Sequence, residues 1–290
     1  MESDRTLAEA RRLSNQLLRS KIIDYVVNRQ NEDGGYTFCQ GAESNAQDTY
    51  YGLEMLSLLN SPFPNVEKTA AFIKEIRLNN IYSIYHVAKT SLLLGLGITE
   101  ELREQAFLTI NLGRFFGSPD VFSEVSSEFT TTCMALELAD LLKVNVEASK
   151  VAEWLVSFRN DDGGFGTHGQ SNINSTYYAV ASLSLIGRNM KNPVETVKFV
   201  RSCEKRHGGF TVVPINFAPY MEHTYYGVMT LDLLGEKSLY PQQTTEWILR
   251  CQNRNGGFAR SDLGISTFRD TFYAVASLQK IEKSGDAMTK

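Results

Sequence analysis

Three features are missing from this 290-residue chain, and each absence argues against a class of protein. Its 4 cysteines, Cys39, Cys133, Cys203 and Cys251, are scattered without paired short spacings. That pattern fits reduced thiols better than a disulfide framework or a zinc knuckle. No apolar run approaches the roughly 20 residues of a membrane-spanning helix, and Ser91 to Ile98, among the longest, falls far short. No Lys/Arg-rich run is interleaved with aromatics, and with a pI of about 5.7 and a net charge of −4 the footprint of a nucleic-acid binder is lacking. The first turn-lengths of chain carry Glu2, Asp4, Arg5, Glu9, Arg11, Arg12 and Arg19 with no apolar core between them. A cleaved secretory signal is not expected there, and the expected compartment is cytoplasmic.

What is present is repetition. Asp33-Gly34-Gly35-Tyr36, Asp162-Gly163-Gly164-Phe165, His207-Gly208-Gly209-Phe210 and Asn255-Gly256-Gly257-Phe258 echo one another. Each is followed by a Thr-aromatic-aromatic triplet: Thr49-Tyr50-Tyr51, Thr176-Tyr177-Tyr178, Thr224-Tyr225-Tyr226 and Thr271-Phe272-Tyr273. The last three triplets recur at the period of a two-helix unit. Before each Gly-Gly lies an amphipathic stripe, as in Trp154, Leu155, Phe158 or Trp247, Ile248, Cys251. Gly-Gly stops that helix because glycine takes positive φ without strain. After the triplet comes a helix rich in small and apolar residues, such as Tyr177 to Ile186, which reads as buried on nearly all sides. Asn60, Gly187 and Gly235 stand in constant register past the second aromatic and are expected to cap the buried helices.

Between the first and second Gly-Gly turns the alternation continues without glycine pairs. Val66 to Arg77 and Glu100 to Phe115 read as outer helices, Ser83 to Leu96 and Glu128 to Leu142 as inner ones. Six helix pairs with buried inner and amphipathic outer members predict closure into a double ring: an all-α (α/α)6 toroid. The expected domain is single, 1–290, with 1–16 as an N-terminal extension and 282–290 as a C-terminal tail.

The turns Arg29-Gln30-Asn31-Glu32-Asp33-Gly34-Gly35-Tyr36, Arg159-Asn160-Asp161-Asp162-Gly163-Gly164-Phe165 and Cys251-Gln252-Asn253-Arg254-Asn255-Gly256-Gly257-Phe258 resemble the Gln-x-x-x-Gly-Gly-aromatic motif of the prenyltransferase and squalene-cyclase repeat superfamily. The likeness covers about Leu17 to Ile281, and length and pair count look most like a protein prenyltransferase β subunit of the Rab geranylgeranyltransferase type. The resemblance implies an isoprenoid ligand in the barrel and a helical partner subunit. It also implies a zinc site, but the matching positions read Tyr220, Glu222 and Asp270, a poor soft-metal set, so zinc is not expected. The family's diphosphate clamp falls on Pro214, Phe217, His223, Asn172 and Phe129 or Glu128. The cyclase branch's Asp-x-Asp-Asp-Thr acid motif matches Asn45-Ala46-Gln47-Asp48-Thr49, with amides in its first two acidic places, and an amide cannot donate that proton.

In such a ring the inner-helix N-termini share one mouth, where Asp48, Glu128, Asn174, Glu222, His223, Arg269 and Asp270 should lie. An acid-leaning rim suits Mg²⁺ bridging to a diphosphate, a cationic ligand, or only water and helix caps. Below it, Tyr50, Tyr51, Tyr85, Tyr177, Tyr178, Tyr225, Tyr226, Phe272 and Tyr273 should form a wall. Aromatic faces stabilise carbocations and also simply fill barrels. The expectation is an isoprenoid-handling enzyme using Asp48, Glu222 and Asp270 as acidic or metal-bridging groups. His223 and Arg269 are expected as diphosphate contacts, and Tyr51, Tyr178, Tyr226 and Tyr273 against the hydrocarbon. The rival is a non-catalytic toroid that binds a lipid or a partner. His86, His168, the Cys203/His207 pair and the Gly166 to Gly169 loop read as structural.

Overall fold

The computed structural model describes residues 16–111, 128–188, 190 and 193–286. Its helices alternate between an outer and an inner set. The outer set is α1 (16–27), α3 (Val66–Lys74), α5 (Glu100–Asn111), α7 (Ala148–Ser157), α9 (Pro193–Cys203) and α11 (Pro241–Arg250). The inner set is α2 (Ala46–Leu58), α4 (Ile81–Leu93), α6 (Glu128–Leu142), α8 (Ile173–Leu185), α10 (Met221–Leu233) and α12 (Phe268–Asp286). Around the axis α2 packs on α4, α4 on α6, α6 on α8, α8 on α10, α10 on α12, and α12 back on α2. The (α/α)6 ring is therefore closed. Among the described residues extended pairing is limited to isolated bridges, such as Gln30 with Tyr36 and Gln252 with Phe258 across the turns. The helix predicted to 115 is described only to Asn111. Helix α12 runs on to Asp286, past the predicted end at Ile281, so part of the expected tail is helical. The expected N-terminal extension lies, up to residue 15, outside the described residues.

Closure follows from the glycine turns. Gly34 (φ 88°) lies so close to α3 that a Cβ would overlap the Lys68 backbone, and Gly256 (φ 93°) approaches the Lys21 carbonyl of α1 in the same way. Each turn thus docks on the outer helix of the next unit, and the last docks on the first. Tyr25 of α1 meets Phe268 of α12 edge to face at 5.4 Å, and Gln279 donates to the Leu58 carbonyl at 3.0 Å across 221 residues of chain.

The threonine of each triplet is the rivet between turn and inner helix. Thr49, Thr176, Thr224 and Thr271 accept the N–H of Tyr36, Phe165, Phe210 and Phe258 at 3.0, 3.0, 3.1 and 2.9 Å. The same hydroxyls donate one turn back, to the carbonyls of Asn45, Asn172, Tyr220 and Thr267. All four threonines are fully buried. A buried N–H without a partner costs free energy, so the repeat of this residue has a structural cause.

The predicted caps Asn60, Gly187 and Gly235 are left-handed, with φ of 48°, 67° and 73°, and Gly95 (69°) and Lys143 (55°) do the same for α4 and α6. In all five cases the next N–H bonds back to a carbonyl in the last turn: Ser61 to Leu56, Leu96 to Ser91, Val144 to Ala139, Arg188 to Leu183 and Glu236 to Leu231. This shared register aligns the two helices that lack glycine turns. His86 and Met134 then occupy the places that Tyr51, Tyr178, Tyr226 and Tyr273 hold elsewhere.

Candidate functional site at the axis and its mouth

The mouth groups are fixed by the starts of the inner helices. Asn45 caps α2 by accepting the Asp48 N–H at 2.8 Å, while Asp48 Oδ2 receives the Asn45 amide at 3.0 Å and the Phe38 N–H at 3.2 Å. On the neighbouring α12, Thr267 Oγ accepts the Asp270 N–H at 2.9 Å and donates to Asp270 Oδ2 at 2.7 Å. The caps are therefore Asn45 and Thr267, and the two aspartates are the reciprocating third residues of each first turn. Both carboxyls are buried, and burial raises both above the ordinary carboxylate range. Their hydrogen bonds and the Arg269 charge oppose that rise. In each, only Oδ2 is engaged by a described residue. Arg269 is solvent-accessible, and its charge is felt at Asp48, Asp270, Tyr51, Tyr226 and Tyr273.

Glu222 and His223 are placed differently. Glu222 Oε1 receives Arg260 at 2.7 Å, and the Arg260 guanidinium lies 4.1 Å over the Tyr220 ring. Arg260 was not foreseen, because it reaches Glu222 from a loop 38 residues away. His223 is buried, with Nε2 at 3.4 Å from Glu222 and Nδ1 unpartnered among the described residues. Burial lowers its pKa to about 4, against the opposing pull of Glu222. Burial thus favours the uncharged imidazole at neutral pH, and the exposed Arg260 and Arg269 carry positive charge near the mouth. Among the described residues no three His, Cys, Asp or Glu side chains gather to hold a metal. Asp48, Glu222 and Asp270 are each turned to a protein partner, and Cys203 with His207 does not form a site.

The wall is built as the registers require. Tyr225 stacks on Tyr273 at 4.5 Å and Tyr177 on Tyr226 at 5.0 Å, Tyr51 meets Phe272 at 5.2 Å, and Tyr50 meets Tyr85 at 6.2 Å. Hydroxyls of Tyr178, Tyr226 and Tyr273 form a chain linking the neighbouring helices α8, α10 and α12, at 3.0 and 3.2 Å. Burial pushes the Tyr225 phenol up to about 12 and the others higher, so all are neutral donors and acceptors. His86 sits among Tyr50, Tyr51 and Tyr85 and donates from Nδ1 to the Tyr82 carbonyl at 2.8 Å. Its Nε2 has no described partner, and burial lowers its pKa to about 4.

Inside the wall lies a partly enclosed cavity of about 190 Å³, lined by Tyr50, Tyr51, Tyr85, Lys89, Cys133, Met134, Glu137, Tyr177, Tyr178, Tyr225, Phe272 and Tyr273. To this lining α6 contributes Cys133-Met134, where the other inner helices carry a pair of ring side chains. One helical turn further on, a charged layer escaped the sequence reading. Lys89 and Tyr85 both donate to Glu137 Oε2, at 2.9 and 2.8 Å. Glu54 lies within electrostatic reach of both Lys89 and Glu137. The missed signal was register: Glu54, Lys89 and Glu137 are each three residues past the second-aromatic place of α2, α4 and α6.

A model of the prenyltransferase alpha-alpha toroid domain matches residues 5–81 and 103–290. The β subunit of protein farnesyltransferase from Schizosaccharomyces pombe is 34% identical over 73 residues, which span 24% of this chain and only 19% of that subunit. Candida albicans protein geranylgeranyltransferase-I complexed with GGPP superposes with a TM-score of 0.70 at 16% identity, over 92% of each chain. The apo type II terpene cyclase MstE from Scytonema gives a TM-score of 0.60 at 13% identity, over 93% of this chain and 98% of that one. At such identities the likeness to the two structures is one of fold.

Proposed function

The chain belongs to the prenyltransferase alpha-alpha toroid family, and on that premise we propose that it is an isoprenoid-handling enzyme of the prenyltransferase and terpene-cyclase superfamily. Its substrate is a prenyl diphosphate or a polyprenyl compound, and the family's zinc-thiolate chemistry is not used. The observation that carries this reading is the pair of buried aspartates, Asp48 and Asp270, at the starts of the neighbouring inner helices α2 and α12 and both within reach of the Arg269 charge. A carboxyl whose pKa is raised by burial holds a proton to higher pH, and each of these has one oxygen free of described partners. Donation of that proton to an alkene carbon leaves a carbocation facing Tyr51, Tyr178, Tyr226 and Tyr273, whose ring faces favour positive charge. The carboxylate left behind is held by Asn45 and Phe38 N–H, or by Thr267. Arg269 and Arg260 supply the positive charge that would receive a diphosphate. Mg²⁺ is a natural companion of a diphosphate, but the carboxylates as they stand are turned to other partners and no step is routed through it. A cytoplasmic setting and a helical partner subunit complete the reading, both resting on the sequence.

A second reading, a toroid that binds a small molecule or partner without turnover, is favoured by one observation. The cavity of about 190 Å³ is below the about 300 Å³ at which ligand pockets usually begin. Incubation with a chain-length panel of prenyl diphosphates and polyprenyl compounds, with and without Mg²⁺, separates the two. Turnover that falls at least about a hundredfold in Asp270→Asn or Asp48→Asn supports the enzyme. No diphosphate release and no product, with a bound lipid recovered by organic extraction, supports the binding module.

A further inference from the structure

The loop before α10 presents Ile215 and Phe217, and the loop before α12 presents Leu263 and Ile265, at 89, 81, 95 and 73% exposure. These are the four most exposed large hydrophobic side chains among the described residues. Both loops stand at the mouth, and both are held by bonds. The Met221 N–H donates to the Arg260 carbonyl at 2.9 Å, which joins the two loops at their roots. Lys205 Nζ donates to the Pro214 carbonyl at 2.8 Å, the His207 ring lies 5.3 Å from that of Phe217, and the Asn253 amide donates to the Gly264 carbonyl at 3.1 Å. The corresponding loops before α2 and α8 expose Gln40, Glu43, Thr167, His168 and Gln170 instead. Charge divides in the same way. Where the first two glycine turns carry Glu32-Asp33 and Asp161-Asp162, the last two carry Arg206-His207 and Arg254-Asn255. Lys205 to Tyr220 contains no acid, and Gln252 to Arg269 sets Arg254, Arg260 and Arg269 against Asp262 alone, on a chain whose net charge is −4. Arg260 is shared with Glu222.

From this juxtaposition we infer that the two loops dock the mouth on a membrane surface that carries anionic lipid. Exposed apolar side chains gain by leaving water, and four on two joined loops differ from the scattered single ones that are ordinary on a protein surface. They stand on two separate tips. A protein partner would need a matched pair of sockets, whereas a bilayer admits protruding side chains without a fitted surface. Arg206, Arg254 and Arg260 alongside attract anionic headgroups, and apolar insertion combined with a basic patch is what holds a protein at a bilayer without a spanning helix. No helix among the described residues is long and apolar enough to cross a membrane. The acidic turns before α2 and α8 flank this sector on both sides and restrict the contact to it. The docking is read from lipid binding alone and does not rest on the mouth chemistry proposed above.

The test is flotation of the full chain with vesicles of phosphatidylcholine and phosphatidylserine in equal parts, against vesicles of phosphatidylcholine alone. The chain is expected to float with the mixed vesicles at least about fivefold more strongly than with the neutral ones, and to be released as salt is raised. Phe217→Ser and Leu263→Ser each weaken binding by about tenfold, the transfer of one large side chain. Arg206→Glu combined with Arg254→Glu removes the preference for phosphatidylserine. Leu185→Ser, at the far end of α8 and 42% exposed, leaves binding unchanged. Insertion is read directly from Leu263→Trp, whose added emission should be quenched by lipid brominated on its acyl chains, while that of Leu185→Trp should not. Circular dichroism identifies any variant that does not fold, and the vesicle preference of the unmodified chain needs no variant. No flotation with either vesicle, equal flotation with both, flotation unchanged in Phe217→Ser and Leu263→Ser, or an unquenched Leu263→Trp overturns the inference. So does a dimer in sedimentation that a folded Phe217→Ser dissociates, since a second copy would then cover the tips. Prenyl turnover in the same preparations reports on the mouth independently.

Discussion

Replacing Thr271 by valine keeps the shape of the side chain and removes only its hydroxyl. That hydroxyl accepts the Phe258 N–H at 2.9 Å and donates to the Thr267 carbonyl at 2.6 Å, in a fully buried position. Stranding a buried N–H costs about 1–3 kcal/mol, and the lost donation about 0.5–1.5 kcal/mol. Together they predict a loss of about 2–4 kcal/mol for Thr271→Val. With a urea slope of about 3 kcal/mol/M, the upper end for single domains, the unfolding midpoint falls by about 1 M. Thr271→Ser keeps both hydrogen bonds and loses a methyl group, which costs about 1 kcal/mol. The same ordering, valine worse than serine, is expected at Thr49, Thr176 and Thr224, because each makes the same two bonds. Urea titrations followed by far-ultraviolet circular dichroism make the comparison. A valine variant within 0.5 kcal/mol of the unmodified chain, or a serine variant as damaged as the valine one, would show that the threonines are not rivets.

Two further outcomes follow from the same coordinates. His86 titrates at about 4 in the folded protein against 6.5 unfolded, so the unfolded chain binds its proton first. Stability is therefore full above pH 6.5 and lost as pH falls toward 4, by up to about 3 kcal/mol at 1.36 kcal/mol per unit. Asp48 and Asp270 have raised folded pKa values and so act in the opposite sense. Urea midpoints between pH 7 and 4.5 should accordingly slope less steeply in His86→Phe than in the unmodified chain, and an unchanged slope would contradict the buried neutral imidazole. Gly256→Ala meets both a left-handed backbone and the Lys21 carbonyl, and should lower stability by about 2–4 kcal/mol with hydrogen-exchange protection lost first in α1. An equivalent loss from Gly41→Ala, whose surroundings are open, would indicate that conformation alone and not the docking of the turn is responsible.

The ring was legible in the sequence because its parts repeat: the glycine pairs, the threonines and the caps at Asn60, Gly187 and Gly235 obey one register. Helices α4 and α6 obey it too, but their glycine pairs are gone, and only the left-handed Gly95 and Lys143 reveal the alignment. That is why Glu54, Lys89 and Glu137 were not seen as a layer. Asp48, Asp270, Arg269 and the tyrosines stood out as candidates because they lie in or beside the triplets. Arg260 was not, since its partner lies on another unit and no spacing rule joins them. The enclosure of His223, which lowers its pKa, is likewise not reported by spacing.

The docking of Gly256 on α1, with Gln279 reaching Leu58 across 221 residues, means that the seam cannot close before α12 has been synthesised. Until α12 has left the exit tunnel, α1 has no neighbour on that flank and must wait with its apolar side open. Synthesis at about 5–20 residues per second stretches that wait to many seconds. Truncated products lacking α12 should therefore be the ones that chaperones retain.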